Sequence, residues 1–270
     1  MKAFVMDLSI CNGCYCCQVA CKDEHVANDW TPYAKPQPDY GQFWLKIDEK
    51  TRGSVPKVKV TYTPMLCTHC EDAKCMEVCK ANAIYRREDG MIIIDPTKCS
   101  GCKLCPDYCP SGSIYFNDNL NIAQKCTGCS HLIDDGWDVP RCVDACPTEA
   151  LRYGEESELK DLIAKSELLD NGCGKGHVYY LNLPRKFVAG TVYDPVEKEV
   201  VIGATCTLTD KEGKAVHTVQ TDNWGDFWFN ELPDNHSYSL KIEKGTTSKT
   251  VDSISTASDV NLGDIAMRIL

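Results

Sequence analysis

The chain has 270 residues, 43% of them apolar and 25% charged, which suits a globular protein with room for two domains. Its formal net charge of −10 argues against nucleic acid and against anionic membrane surfaces as partners. No apolar run approaches the roughly 20 residues of a membrane-spanning helix. The chain opens on a strand-like F-V-M-D-L-S-I instead of a signal peptide or twin-arginine segment, so a cytoplasmic protein is expected unless a partner exports it.

Nineteen cysteines follow, and sixteen of them fall into four sets of four. The first is Cys11, Cys14, Cys17 and Cys21, spaced C-x2-C-x2-C-x3-C. The second, Cys67, Cys70, Cys75 and Cys79, stretches the middle gap to four residues. The third, Cys99, Cys102, Cys105 and Cys109, repeats the first spacing and is closed by Pro110. The fourth, Cys126, Cys129, Cys142 and Cys146, stretches the middle gap to twelve and is closed by Pro147. Three closely spaced thiolates in a loop hold three corners of a cubane, and the fourth cysteine of each set ligates the other cluster in two-cluster ferredoxins. A disulfide framework suits a small secreted chain, not one of this length with an odd cysteine count and the adjacent pair Cys16–Cys17. Zinc knuckles would leave the middle thiolate of each triplet idle. Four [4Fe–4S] clusters are therefore expected, each adding roughly −2 of charge when oxidised.

After the last cysteine of three sets, a small residue comes four positions on and an aliphatic one five on: Ala83-Ile84, Ser113-Ile114 and Ala150-Leu151. Hairpins are expected over 83–95, turning at Asp89-Gly90, and over 113–124, turning at Asn117-Asp118-Asn119. This is a ferredoxin plan used twice, with the second and third sets as one unit and the first and fourth as the other. Crossing the fourth ligands gives four predicted sites: Cys11, Cys14, Cys17 with Cys146; Cys126, Cys129, Cys142 with Cys21; Cys67, Cys70, Cys75 with Cys109; and Cys99, Cys102, Cys105 with Cys79. The flanking lysines Lys22, Lys80, Lys98, Lys103 and Lys125 would raise cluster potentials, or are ordinary surface lysines.

Residues 24–63 insert between the first two sets as an irregular proline- and aromatic-rich loop followed by strands over Phe43–Ile47 and Val55–Tyr62. Its Trp30, Tyr33, Tyr40 and Trp44 would line a partner surface or pack over a cluster. His69, inside C-T-H-C, is expected behind the ligands or at an interface instead of on a metal. Cys16 reads as a spare thiol beside the first cluster. Cys206, alternating with Ile202, Ala204 and Leu208, reads as a buried apolar residue, and Cys173 in N-G-C-G-K-G is assigned no role.

Apolar spacing over Ser157–Leu169 predicts an amphipathic helix ending at Asn171-Gly172. From 186 on the character changes to about seven short strands with turn signals between them, the last over 264–270, which predicts an all-β sandwich. Trp224 and Trp228 are expected to help build its core, the alternative being an exposed aromatic patch that binds something. The expected domains are 1–155, a linker over 156–185, and 186–270; the expected class is α+β, a tandem ferredoxin-like domain followed by the sandwich.

The four-set pattern with C-T-H-C, K-C-T-G-C…R-C-V-D-A-C-P and the hairpin Y-R-R-E-D-G-M-I-I-I-D resembles the iron–sulfur subunit of the dimethyl sulfoxide reductase family over residues 1–185. G-T-V-Y-D and T-D-N-W-G-D-F-W-F-N-E-L are similar to transthyretin-like or carboxypeptidase-regulatory-like domains. That combination resembles the small subunits of pyrogallol–phloroglucinol transhydroxylases, resorcinol hydroxylases and catechol dehydroxylases. The resemblance implies an electron-transfer subunit without a catalytic residue of its own, docked on a large subunit that holds a molybdenum or tungsten bis-pterin. Within that group not every member keeps all clusters, so sixteen retained ligands imply net electron transfer with an external redox partner. The alternatives are the same subunit in a membrane-anchored respiratory reductase, and a structural or sensing protein that uses clusters or zinc without electron flow.

Overall fold

The structure, a computed structural model, describes residues 1–269. It divides into two compact units, one of residues 1–49 and 62–183, the other of residues 50–61 and 184 onward.

In the first unit, β1 (Lys2–Asp7) is followed by α1 (Cys16–Val26), the long hairpin β2 (Leu45–Ser54) and β3 (Lys57–Leu66), and α2 (Lys74–Glu77). Then come β4 (Ile84–Arg86), β5 (Ile92–Ile94), α3 (Leu104–Asp107), β6 (Tyr115–Asn117) and β7 (Ile122–Gln124). The unit closes with α4 (Ser130–Asp134), α5 (Arg141–Asp144), β8 (Leu151–Glu155), α6 (Lys160–Ile163) and β9 (Val178–Leu181). Apart from α1 the helices are single turns. Each carries a cysteine or follows one, except α6. The hairpins β4–β5 and β6–β7 turn where the sequence places its Asp-Gly and Asn-Asp-Asn signals. At the second turn, Asn117 Oδ1 accepts the amides of Asn119 and Leu120 at 3.1 and 3.2 Å. The apolar β1 lies between β8, antiparallel, and β9, parallel, with Ala3 to Met6 buried.

Two expectations fail here. The hairpin strands of the insertion run ten residues each, well beyond the short segments expected. The helix expected over 157–169 is a single turn. Ser166 Oγ donates to the Ile163 carbonyl at 2.7 Å, and Glu167 exchanges both backbone hydrogen bonds with Tyr180 of β9, so pairing with a strand outweighs helical periodicity.

The second unit is the expected β-sandwich. One sheet runs β11 (Glu199–Val200), β10 (Lys186–Asp194) and β14 (Asp226–Leu232), with β17 (Val260–Ala266) parallel to β10. The other runs β13 (Ala215–Gln220), β12 (Thr205–Thr209), β15 (Ser237–Lys244) and β16 (Thr247–Ser255). Alternation decides the faces: Cys206 and Leu208 of β12 and Tyr238, Leu240 and Ile242 of β15 point inward against Val188, Val192, Phe227 and Phe229. Cys206 is fully buried as expected, but Ile202 is half-exposed because the turn at Gly203 precedes β12. The closing strand starts four residues earlier than expected. Asp194 Oδ2 instead holds the Ile269 amide at 2.7 Å beyond the strand end. Trp224 does not enter the core. It is 76% exposed on the turn that Asp222 organises by accepting the amides of Trp224 and Asp226.

The tip of the β2–β3 hairpin belongs to this second unit. Arg52 makes two hydrogen bonds to the buried carboxylate of Asp259, at 2.9 and 2.7 Å, and Lys57 pairs with Asp226. Arg52→Met would leave Asp259 buried without its cation, a loss of about 3–5 kcal/mol. A clearly lower thermal midpoint of the sandwich, followed by Trp228 fluorescence, is expected; an unchanged midpoint would contradict the role given to this pair.

Candidate metal centre

The sixteen motif cysteines converge in four places. One hollow is lined by Cys67, Cys70, Cys75 and Cys109 and has a volume of about 230 Å³. A second is lined by Cys79, Cys99, Cys102 and Cys105, with Ala83, Ile84, Ile94, Phe116 and Ala123 around them. A third is lined by Cys21, Cys126, Cys129 and Cys142, under Phe4, Trp44 and Leu45. In each, three thiols of one motif meet the last thiol of another. Cys146 stands beside the first triplet: its charge helps raise the pKa values of Cys11 and Cys17, behind the larger effect of burial.

Local backbone geometry bends each loop around its hollow. The residue two positions after the first cysteine takes a positive φ in all four motifs: Gly13 (67°), His69 (49°), Gly101 (71°) and Gly128 (62°). A left-handed residue there turns the chain back so that main-chain amides face the sulfurs. Gly128 N donates to Cys126 Sγ at 3.4 Å, and Ala123 N donates to Cys99 Sγ at 3.5 Å. The small residue four positions past the last cysteine has the same use, since Ala83 N donates to Cys79 Sγ at 3.3 Å. Hydroxyls add to this, with Thr68 Oγ1 3.1 Å from Cys70 Sγ and Ser111 Oγ 3.5 Å from Cys109 Sγ.

Burial, then neighbouring thiolates, pushes Cys17, Cys105 and Cys129 up to about 12, and Cys21 and Cys142 well above their ordinary value. Thiols this crowded ionise together only when a cationic centre binds them. Among the described residues, no three His, Cys, Asp or Glu side chains come close enough to hold a single metal ion. Three of the quartets surround a hollow instead of a point, which fits the donor set of a polynuclear iron–sulfur cluster.

The aromatic and basic residues of the motifs separate by burial. Trp44 is buried over the Cys21 quartet, tilted against His25 at 4.6 Å. His25 Nδ1 donates to the Cys21 carbonyl at 2.9 Å, and burial pushes the ring down to about 4, so it is neutral. Trp30 stacks on His131 at 4.3 Å, Tyr33 bonds Asp134, and Tyr40 is almost fully exposed. His69 is wholly buried and its Nδ1 accepts the Ile92 amide at 2.9 Å. Cys16 is exposed beside Cys14. Lys98 and Lys103 are solvated and paired with Asp95 and Asp118, whereas Lys125 is 2% exposed. Its ammonium donates to the carbonyls of Ile92 and of Cys126 (3.0 Å to the latter). Burial pushes Cys75 and Cys126 up to about 11, and the Lys125 charge opposes that rise at both. Lys125 thus stands between two quartets. Cys173, to which the sequence assigns no role, lies in the wall of the Cys67 hollow.

Residues 58–156 match the 4Fe-4S dicluster domain and residues 188–268 the carboxypeptidase regulatory-like domain. The chain is 36% identical to the pyrogallol hydroxytransferase small subunit of Pelobacter acidigallici, over 97% of this chain and 98% of that one. It is 32% identical to a putative dimethyl sulfoxide reductase iron-sulfur subunit of Halobacterium salinarum, over 66% of this chain and 78% of that one. With one chain of the anaerobic dimethyl sulfoxide reductase of Escherichia coli it shares 35% identity, over 58% of this chain and 75% of that one. The chain belongs to the iron–sulfur electron-transfer subunits of the dimethyl sulfoxide reductase family. In this family setting the buried Lys125 ammonium gains its meaning: no carboxylate pairs with it among the described ion pairs, and a buried cation is tolerable next to anionic iron–sulfur centres. Lys125→Met is expected to lower the potential of the iron–sulfur centres nearest it by about 59 mV, a tenfold change in a one-electron equilibrium. Potentiometric titration followed by electron paramagnetic resonance checks this, with the exposed Lys103→Met as the variant expected to leave the potentials in place.

Proposed function

We propose that this chain relays electrons through four [4Fe–4S] clusters between an external redox partner and a catalytic subunit carrying a molybdenum (or tungsten) bis-pterin. The reaction served is the hydroxylation, dehydroxylation or transhydroxylation of polyhydroxylated aromatic compounds. The ligand sets are Cys11, Cys14, Cys17, Cys146; Cys21, Cys126, Cys129, Cys142; Cys67, Cys70, Cys75, Cys109; and Cys79, Cys99, Cys102, Cys105. The observation that carries the reading is the lining of the three hollows, each by three thiols of one motif and the last thiol of another. When bound, a [4Fe–4S] cluster supplies a one-electron redox centre.

The chain's own residues do the rest. Cysteine sulfurs fix the centres, and exchange of the fourth ligand ties each centre to its neighbour. Phe4, Trp44 and Leu45 exclude water from the Cys21 quartet, and the amides of Ala83, Ala123 and Gly128 stabilise negative charge on sulfur. The aromatic substrate class is supported by the likeness to the pyrogallol hydroxytransferase small subunit, which extends through the sandwich to 97% of this chain.

The test is the native complex, prepared without oxygen. It should contain about sixteen iron and sixteen acid-labile sulfide per copy of this chain, with negligible zinc. Iron near half that value, or stoichiometric zinc, contradicts four clusters. Cys109→Ala addresses the crossing: the centre of Cys67, Cys70 and Cys75 should change its paramagnetic spectrum while that of Cys99, Cys102 and Cys105 does not. The reverse result assigns Cys109 to its own loop.

A further inference from the structure

Five thiols, not four, line the hollow of the second motif. Cys173 shares its wall with Cys67, Cys70, Cys75 and Cys109. It is only 8% exposed and stands near Cys70 in that wall. The other two cysteines outside the quartets behave differently, since Cys16 is exposed to solvent and Cys206 lies inside the sandwich core.

The position of Cys173 is fixed by its loop. Glu71 N donates to the Lys175 carbonyl at 2.9 Å and His177 N to the Thr68 carbonyl at 2.8 Å, so residues 175–177 are laid along the Cys67–Glu71 loop. Glycine makes this approach possible, because a Cβ at Gly176 would stand 2.6 Å from the Thr68 carbonyl oxygen. Asn171 Oδ1 holds the Cys173 amide at 3.1 Å. Cys173 is therefore held between the Asn171 side chain on one side and the main-chain contacts of Lys175 and His177 on the other, and a packing role alone does not require a sulfur at this point.

We propose that Cys173 is a reserve ligand for the iron held by Cys70, so that Cys67, Cys75 and Cys109 carry the cluster with either Cys70 or Cys173 at the remaining corner. This rests on the reading that the hollow holds a [4Fe–4S] cluster. In the exchange, the Cys173 sulfur loses its proton and bonds the iron, the Cys70 sulfur leaves the iron and takes up a proton, and no electron is gained or lost. A cluster with such a reserve keeps its fourth iron when one thiolate is lost.

The experiment compares Cys70→Ala, Cys173→Ala and the double variant, each purified as the native complex without oxygen. Iron and sulfide are measured together with electron paramagnetic resonance of the oxidised protein, where a three-iron cluster gives a signal and an intact four-iron cluster does not. Each single variant is expected to keep the iron content of the unaltered complex and to lack the three-iron signal. The double variant should lose about one iron per chain and show it. A three-iron signal as strong in Cys70→Ala as in the double variant overturns the proposal, as does a double variant with full iron. Should Cys70→Ala not accumulate, Cys70→Val, closer in volume, carries the same comparison with and without Cys173→Ala. The underlying reading fails separately: an unaltered complex without a cluster in this hollow overturns both, whereas full iron there with a three-iron signal in Cys70→Ala overturns the reserve ligand alone.

Discussion

Thiols that repel one another once ionised stand where an ordinary domain keeps its apolar core, and the first unit is arranged around them. Cys17, Cys21, Cys67, Cys126 and Cys142 belong to its larger core cluster, and Cys105 to the smaller one. The elements that present them cannot stand alone. Apart from the eleven-residue α1, these are helices of one turn and hairpins with three-residue strands, far below the length at which either is stable in water. Iron–sulfur centres bound by these sulfurs would therefore hold the peptide together as well as carry charge. The sandwich differs: its core is mostly Val, Leu, Phe, Ile and Met in alternation.

The same electrostatics sort the basic residues. A lysine near a motif counts only if water does not screen it. Lys98 and Lys103 are solvated and already paired with carboxylates, so they contribute little. Lys125 is enclosed, bonded to carbonyls, and felt by thiols of two quartets. Of the five lysines near the motifs it is the one that is buried.

Much of this was legible in the sequence because cysteine spacing encodes chemistry that no other pattern imitates, and because Asp89-Gly90 and Asn117 dictate their turns locally. The sandwich was legible for the same reason: strict alternation over residues such as 205–209 leaves one reading. What escaped depends on contacts between distant segments. The helix over 157–169 yields to the backbone pairing of Glu167 with Tyr180, a partner that periodicity does not reveal. Cys173 comes near Cys70 because residues 175–177, just after it, lie along the loop of the second motif. The long hairpin β2–β3 takes its length from Arg52 and Lys57, whose partners Asp259 and Asp226 are more than 160 residues away. Trp224 looked like core in a strand-rich stretch, yet the Asp222 turn holds it outward.

The central claim is that four clusters are strung together by exchanged fourth ligands. Anomalous scattering at the iron edge from crystals of the native complex tests it most directly. The account predicts four groups of four iron sites in this chain, with Cys146, Cys21, Cys109 and Cys79 each bonded to the group of another motif's triplet. Fewer groups, or any of those four sulfurs bonded to the group of its own triplet, would contradict it.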